Sequence, residues 1–135
     1  MIALGVDLGE RRIGLAASSA EGTLARPLAV IEHRSLGEDV KSVGEVAARL
    51  GAQKIVVGLP LNMNGTVGPA ARRARRFANA LRRALGIGVE LWDERLTTVE
   101  AEGIMGGGGP PGKVDKVAAA IILQSYLDAA READR

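Results

Sequence analysis

Carboxylate side chains stand at three points of this sequence where an apolar segment ends or a helix begins. Asp7 closes an apolar run near the N-terminus, Asp93 and Glu94 close a second run, and Asp115 precedes a strongly apolar helical segment. A carboxylate at the end of a buried strand is costly unless a cation or a hydrogen-bond donor meets it. For Asp7 alone, capping of the following turn is an equally good explanation. Chemistry at these acids therefore requires a fold that brings them together.

The spacing of apolar residues predicts the elements that would carry these acids. Alternation from residue 2, with glycines at 9 and 14, predicts a β-hairpin over residues 2–18 with Asp7 near its turn. Ser35 and Glu38 have the spacing of a capping box, which predicts a helix that begins there and ends at Gly51. The remaining predicted elements are strands at 27–31, 54–60 and 89–94, helices at 70–85, 97–105 and from 113 onward, and a glycine- and proline-rich loop at 106–112.

The order of these elements predicts an α/β fold in a single domain over residues 1–135. Three leading strands favour an antiparallel meander, and the later alternation of strands and helices favours two parallel strands added to it. Right-handed crossovers would place helices on both faces of this mixed sheet. Sites in such sheets form outside the carboxyl ends of parallel strands. The acids of the first and last strands would therefore face one cleft if those strands are neighbours.

Converging carboxylates indicate a site for divalent cations. Like charges that meet in a cleft either share a proton or bind a cation. Hard oxygen ligands in a chain without cysteine favour Mg²⁺ or Mn²⁺. Two such ions about 4 Å apart would polarise a phosphodiester, generate hydroxide from water and stabilise the leaving oxygen. The single histidine, His33, cannot supply the imidazoles of a catalytic zinc site and is expected at the surface.

The basic residues are concentrated in one part of the chain. The net charge is only +2, yet no acidic residue lies between Glu45 and Glu90. Within that window the predicted helix at 70–85 has one apolar face and arginines across the opposite face. A solvated amphipathic helix explains this pattern, but arginines without acidic neighbours equally favour contact with phosphates. These arginines are Arg72, Arg73, Arg75, Arg76, Arg82 and Arg83.

Two other classes of protein are excluded by the sequence. No apolar run approaches the roughly 20 residues that cross a bilayer, and the N-terminus lacks the cationic region of a signal peptide, so we expect a cytoplasmic protein without a membrane partner. The stretch from Gly107 to Lys113 has the spacing of a phosphate-binding P-loop. However, Val114 replaces the required Ser or Thr, and two prolines remove amides that would hold a phosphate.

Five ordered motifs, which together cover essentially the whole chain, resemble the YqgF family. Members of this family are described as pre-16S rRNA nucleases and as RuvX-type Holliday junction resolvases. The motifs are Gly5-Val-Asp7-Leu-Gly9 with Arg12-Ile-Gly14, Val57-Gly-Leu-Pro60, Asn64-Gly-Thr66, Asp93-Glu-Arg-Leu-Thr97, and Lys113-Val-Asp115 with Ile122-Leu-Gln-Ser-Tyr126.

The resemblance implies an RNase H-like fold and metal-dependent cleavage of phosphodiester bonds in structured nucleic acid. The reaction would be either 5′-end processing of pre-16S rRNA or resolution of Holliday junctions. By position, Asp7 and Asp115 match two metal ligands, and the middle ligand falls within the Asp93-Glu94 pair, with Glu94 favoured and Asp93 the alternative. The candidates for contact with nucleic acid are Arg11, Arg12, Arg72, Arg73, Arg76, Arg83, Arg95 and Lys113.

Several alternatives stay open at this point. The main one is a non-catalytic RNA- or ribosome-binding module on the same RNase H-like fold, with acids that no longer act. A strand-one Asp-x-Gly also occurs in the group of sugar kinases, Hsp70 and actin, but those proteins need two such lobes, and 135 residues supply one. A homodimer is compatible with the sequence, and the choice between RNA and branched DNA is open.

Overall fold

A computed structural model describes residues 1–97 and 111–133, without the side chains of residues 111–114. The described part of the chain contains a five-stranded sheet and three α-helices. In chain order these are β1 (Ala3–Leu8), β2 (Arg12–Ser18), β3 (Ala25–Glu32), α1 (Leu36–Leu50), β4 (Lys54–Leu59), α2 (Pro69–Ala84), β5 (Gly88–Asp93) and α3 (Pro111–Ala133).

The sheet is mixed and has the strand order β3-β2-β1-β4-β5. The pairs β1–β2 and β2–β3 are antiparallel, whereas β1–β4 and β4–β5 are parallel. Three leading antiparallel strands and two later parallel strands were the sequence-based prediction, which is confirmed. Because β1 and β5 both flank β4, their carboxyl ends lie at the same edge of the sheet, one strand apart.

The two faces of the sheet are packed against different helices. Alternate residues of β1 and β4 on one face, such as Leu4 and Val57, are fully buried with Phe77 of α2 and with apolar residues of α1. The opposite face presents small residues such as Ala3, and α3 covers it with Ala119 and Leu123. The prediction of helices on both faces is confirmed. Asp7, which lies at an odd-numbered position of β1, consequently faces α3.

Three glycines on this second face allow α3 to lie very close to the sheet. A Cβ atom at Gly5 of β1 would lie 2.8 Å from the Cβ of Leu123, and one at Gly14 of β2 would overlap the carbonyl oxygen of Asp115. At Gly58 of β4 a Cβ would lie 2.7 Å from the Cδ1 of Ile122. Since real Cβ atoms do not approach other atoms so closely, the position of α3 depends on Gly5 and Gly14, and Gly58 leaves room for the Ile122 side chain.

Local signals placed most helix ends correctly. The Ser35 side chain accepts a hydrogen bond from the Glu38 amide, and Gly51 ends α1 in the left-handed conformation with φ of 69°. The prediction for the last helix was wrong by two residues, since α3 begins at Pro111 rather than near Lys113. Proline suits the first turn of a helix because its missing N–H would have no partner there. The predicted helix at 97–105 and the loop at 106–110 lie outside the described residues, apart from Thr97.

None of the three helices is both long enough and apolar enough to span a membrane.

Candidate active site

Asp7 lies beside the first turns of α3. It is the last residue of β1 on the α3 face, and its partner in the antiparallel register is Gly14. Because Gly14 has no side chain, the backbone of Asp115 can lie directly against β2 at that point. One strand pair therefore brings Asp7 and Asp115 together, although 107 positions separate them in the sequence. The alternative explanation, in which Asp7 caps the turn, is not seen, since Gly9 closes the turn by a bond from its amide to the Arg12 carbonyl.

Glu94 reaches the same place from the other side. It follows β5 directly, and its side chain folds over β4, so that a Cβ at Gly58 would lie 2.9 Å from the Oε2 of Glu94. The parallel register pairs Val57 with Val6 of β1, which places Gly58 next to Asp7. Glycine at position 58 therefore leaves the space through which Glu94 approaches Asp7.

The carboxyl groups of Asp7 and Glu94 both have raised pKa values. Burial, and then the charge of Asp115, raise the pKa of Asp7 to about 6. Burial, and then the charges of Asp7 and Asp93, raise the pKa of Glu94 to about 7. No hydrogen-bond donor from residues 1–97 or 115–133 meets either carboxylate. Two adjacent acids without donors have the electrostatics of a cation site.

Asp93 has a different environment from Glu94. Its carboxylate accepts hydrogen bonds from the Arg95 amide at 2.9 Å and from the Arg95 guanidinium at 2.8 Å. These bonds lower the pKa of Asp93 below its usual value. Arg95 in turn donates to the carbonyl of Met63, in the loop that follows β4. The side chain of Glu94, rather than that of Asp93, therefore lies toward Asp7. Asp93 instead orients Arg95.

Asp115 is held by an arginine of the β1–β2 turn. The Nε of Arg12 donates to the Oδ2 of Asp115 at 2.5 Å. The Arg12 side chain is 39% exposed and the Asp115 side chain 25% exposed. The Oδ1 of Asp115 has no hydrogen-bond partner in residues 1–97 or 115–133. A carboxylate offers acceptor sites on both oxygens, so Asp115 can keep Arg12 on one oxygen and turn the other toward Asp7.

The donor set fits a divalent cation, although the ligands are not yet gathered round one point. Across residues 1–97 and 111–133, no three acidic or histidine side chains are close enough together to hold an ion. Asp7 and Glu94 nevertheless supply two carboxylates without hydrogen-bond donors, and Asp115 supplies a third oxygen beside Asp7. Such oxygen ligands suit Mg²⁺ or Mn²⁺, which also retain several waters. An ion there would offset the burial and the repulsion that raise the pKa values of Asp7 and Glu94.

The arginines of α2 do not all face the same way. Arg82 is used structurally, because its guanidinium donates to the Val89 carbonyl at the start of β5 and to Asn79. Arg73 donates to the Gly9 carbonyl at 2.6 Å, and Arg72 lies near the Val67 carbonyl. The other three make no hydrogen bond or ion pair within the described part of the chain; they are Arg75, Arg76 and Arg83.

The N-terminal half of α2 lies nearest the acids. This helix begins after the loop that leaves the carboxyl end of β4, so Arg72, Arg73 and Arg76 start at the edge of the sheet that carries the acids. Arg83 is seven residues beyond Arg76, about 10 Å farther along the axis at ~1.5 Å per residue. Arg11 is exposed in the β1–β2 turn. The side chain of Lys113 lies outside the described atoms.

Sequence reasoning missed a buried carboxylate that binds the ring of His33 next to this region. Asp39 of α1 is almost fully buried, and its Oδ2 lies 2.5 Å from the Nδ1 of His33. Its second oxygen accepts the Arg34 amide. His33 was expected at the surface, and its side chain is 41% exposed. One ring nitrogen, Nδ1, is nevertheless bound to the buried Asp39. The signal in the sequence is an acidic residue six positions after the only histidine.

Known proteins resemble this chain over nearly its whole length. The sequence model of the RuvX family, described as "Holliday junction resolvase", matches residues 1–129. A relative from Caldanaerobacter subterraneus subsp. tengcongensis is 45% identical over 134 residues, which are 95% of this chain and 96% of the relative. A relative from Anaeromyxobacter sp. (strain K) is 48% identical over 133 residues, which are 95% of this chain and 97% of the relative. Both are named "Putative pre-16S rRNA nuclease".

Solved structures show the same fold. RuvC of T. thermophilus in complex with a Holliday junction substrate has a TM-score of 0.67 at 18% identity, covering 98% of this chain and 96% of that one. The Fowlpox virus resolvase in complex with Holliday junction DNA has a TM-score of 0.60 at 12% identity, covering 96% of this chain and 99% of the resolvase chain. The predicted RNase H-like fold and the resemblance to the YqgF family are thereby confirmed. The chain belongs to the RuvX family of Holliday junction resolvases.

Proposed function

We propose that this protein is a divalent-metal-dependent endonuclease that hydrolyses phosphodiester bonds in structured nucleic acid. The observation that carries the proposal is the pair of partly buried carboxylates, Asp7 and Glu94, which lie at the carboxyl ends of β1 and β5 without hydrogen-bond donors in the described residues. Asp115 stands beside them on α3. Membership of the RuvX family and the names of the relatives support the same reaction class.

Asp7, Glu94 and Asp115 would hold Mg²⁺ or Mn²⁺. When bound there, such an ion polarises the phosphate and lowers the pKa of a coordinated water. The protein's own residues fix the geometry. Gly14 and Gly58 let Asp115 and Glu94 approach Asp7, and Arg12 keeps the Asp115 carboxylate from rotating away. Residues that orient metal ligands in this way are part of the site's function.

Cations around the acids would hold the polyanionic substrate. Arg11 is exposed in the β1–β2 turn, and Arg72, Arg73 and Arg76 project from the part of α2 nearest the acids. Arginine suits this task because its planar fork binds phosphate through two N–H groups. Arg83, Arg95 and Lys113 remain part of the proposed contact set. Contacts of this kind read the shape of the backbone rather than base sequence.

The substrate is either the 5′ region of pre-16S rRNA or a four-way DNA junction. The relatives' names favour the first and the family's description favours the second. Both substrates are cytoplasmic in bacteria, which is the compartment we propose. A homodimer would suit a four-way junction, since its two active sites can then each cut one of two symmetry-related strands.

Cleavage by the purified protein tests the proposal. The substrates are a four-way DNA junction, linear duplex DNA, and an RNA stem with a single-stranded 5′ extension, each with Mg²⁺ or Mn²⁺. We expect cleavage of a structured substrate, its loss in Asp7→Asn, and its retention in Glu90→Gln, the matched control. Glu90 is an acid of the same strand as Asp93, but it pairs with Lys54 at the other end of β5.

Two results would overturn the proposal. Cleavage at the wild-type rate by Asp7→Asn would show that the activity resides elsewhere or in a contaminant. Binding of RNA or of ribosomal particles without cleavage under any of these conditions would instead favour the alternative, a non-catalytic binding module.

A further inference from the structure

An open pocket of about 300 Å³ lies on the other face of the sheet from the acids, between the β1–β2 turn, α1 and α2. We call it the arginine pocket. Its walls come from the end of β1, from the junction of β3 and α1, and from the first half of α2. The lining residues are Leu8, His33, Ser35, Leu36, Asp39, Arg73, Arg76 and Phe77.

The polar groups in this pocket are predominantly donors with a positive charge. Arg76 has no hydrogen-bond or ionic partner in the described part of the chain. Arg73 uses one N–H on the Gly9 carbonyl, and a guanidinium has five. The carboxylate of Asp39 is already satisfied by His33 and by the Arg34 amide. Two arginines against one carboxylate leave a net charge of +1 with His33 neutral.

The His33–Asp39 pair gives the pocket a fixed polar wall. Asp39 is only 3% exposed, so its position is set by packing, and it holds the imidazole by the Nδ1 atom. The Nε2 atom is left without a partner among the described residues. With Nδ1 held by Asp39, the second ring nitrogen is the one available to a ligand.

The arginine pocket and the acids lie on the two sides of the same turn. Leu8 lines the pocket and directly follows Asp7, with its side chain on the opposite face. Across the turn, a second open pocket of about 320 Å³ is lined by Gly9, Glu10, Arg11, Arg12 and Asp115. Arg73 joins the two regions through its bond to Gly9. A chain of phosphates that passes over the β1–β2 turn from the acids would reach the arginine pocket next.

We propose that the arginine pocket binds a backbone phosphate of the substrate, away from the bond that is cut, through Arg73, Arg76 and the His33 ring. This inference rests on the proposed function, because it assigns a second phosphate position to the same nucleic acid. It also divides the arginines of α2. Arg76 contacts substrate, whereas Arg75, one residue away and about 100° round the helix, does not line the pocket and does not contact substrate.

Binding and nuclear magnetic resonance test this assignment without any cleavage. His33 is the only histidine of the chain, so its Hε1 signal reports on the arginine pocket alone. In the full-length Asp7→Asn protein, addition of an oligonucleotide junction or RNA stem should shift this signal. Inorganic phosphate at millimolar concentration should shift it in the same direction and more weakly.

Substitution provides the matched comparison. Arg76→Gln should weaken binding roughly 10-fold and reduce the slope of log affinity against log salt by about one. Arg75→Gln, which removes the same charge from the same helix, should change affinity less than 2-fold. Equal effects of the two variants, or a silent His33 signal while nucleic acid is bound, would overturn the assignment.

The two proposals can fail separately. Metal-dependent cleavage together with a silent His33 signal leaves the nuclease proposal standing and removes the arginine pocket. A shifted His33 signal in a protein that never cleaves keeps the pocket and removes the nuclease.

Discussion

At the scale of single residues, two adjacent carboxylates in this site have opposite roles. Asp93 is neutralised by the amide and guanidinium of Arg95, whereas Glu94 lies over Gly58 beside Asp7 without such a donor. The pKa of Asp93 is consequently lowered and that of Glu94 raised. Because Asp93 already accepts strong hydrogen bonds from Arg95, we expect it to bind a metal ion less well than Glu94 does.

This difference predicts unequal effects of two neutral substitutions. If Glu94 holds a divalent ion as proposed, Glu94→Gln removes one ligand of that ion, so cleavage should fall on the order of 100-fold or more. Asp93→Asn only loosens Arg95, and activity should fall about 10-fold. Single-turnover rates at saturating Mn²⁺ distinguish the two variants. A larger loss in Asp93→Asn would exchange the roles of the two residues.

The raised pKa values predict that stability depends on pH in an unusual direction. Both Asp7 and Glu94 have a higher pKa in the folded chain than in the unfolded chain. The folded state therefore binds more protons between about pH 4 and pH 7, and the free energy of unfolding falls as pH rises through this window. After allowance for solvent screening, the loss should be on the order of 3 kcal/mol for the pair in the absence of a divalent ion.

Urea unfolding of wild type and Asp7→Asn measures this effect. The two proteins should have similar stability at pH 4, where Asp7 is protonated, and the variant should be the more stable one at pH 8. Millimolar Mg²⁺ at pH 8 should stabilise the wild type more than the variant, because only the wild type has the complete ligand set. A variant that is less stable at pH 8 would mean that Asp7 is held by a partner that its environment does not show.

At the scale of elements, the seating of α3 on the sheet determines where Asp115 lies. Gly14 is the critical position, because its missing side chain leaves room for the Asp115 backbone. The distance between α3 and the sheet determines whether Asp115 can approach Asp7.

Gly14→Ala should therefore impair both stability and activity. An added methyl group would push the start of α3 off β2, at a cost of about 1–3 kcal/mol in the free energy of unfolding, and would move Asp115 away from Asp7. Gly37→Ala is the matched control, since a Cβ there meets no atom within 4 Å. Because Gly37 lies in α1, its substitution should leave stability unchanged or raise it by up to ~1 kcal/mol. Denaturation and cleavage assays on both variants check this pair.

The sequence was informative about elements and less so about the distances between them. Alternation placed Asp7 on β1, and the Ser35 and Gly51 signals placed α1, because these are local effects. The close approach at Gly14 and the folding of Glu94 over Gly58 were not predictable, since each depends on two segments far apart in the chain. The pairing of Asp93 with Arg95 was equally invisible in the motif, which contains both residues.

At the scale of the whole molecule, one sheet holds two unequal cores together. The core under α1 and α2 is large and contains Phe77 and Leu81, whereas the core under α3 is smaller and rich in alanine. Trp92 lies at the margin of the smaller core, donates to Ser125 of α3 at 3.0 Å, and packs edge-on against Tyr126. The helix that carries Asp115 is thus tied to β5, which precedes Glu94.

Residues 1–135 should consequently unfold in one cooperative transition. Trp92, the only tryptophan, reports the contact between β5 and α3, while circular dichroism reports all helices. The two thermal transitions should coincide. Leu123→Ala, at a fully buried position of α3, should lower both midpoints together with a loss of about 2–5 kcal/mol. A tryptophan transition that precedes the loss of helix would show that α3 separates as an independent unit.

The three glycines under α3 have a consequence for how this protein can change by mutation. Gly5 and Gly14 let the backbone of α3 lie against the sheet, and Gly58 leaves room for the side chains of Ile122 and Glu94, so the spacing of the acids does not depend on which apolar side chains fill the larger core. Substitutions under α1 and α2 can accumulate, within the limits of stability, while the distances among the acids stay the same. The arginines of α2, which lie on that freer side of the sheet, are then the natural place for a change of substrate, with the hydrolytic centre carried along unaltered.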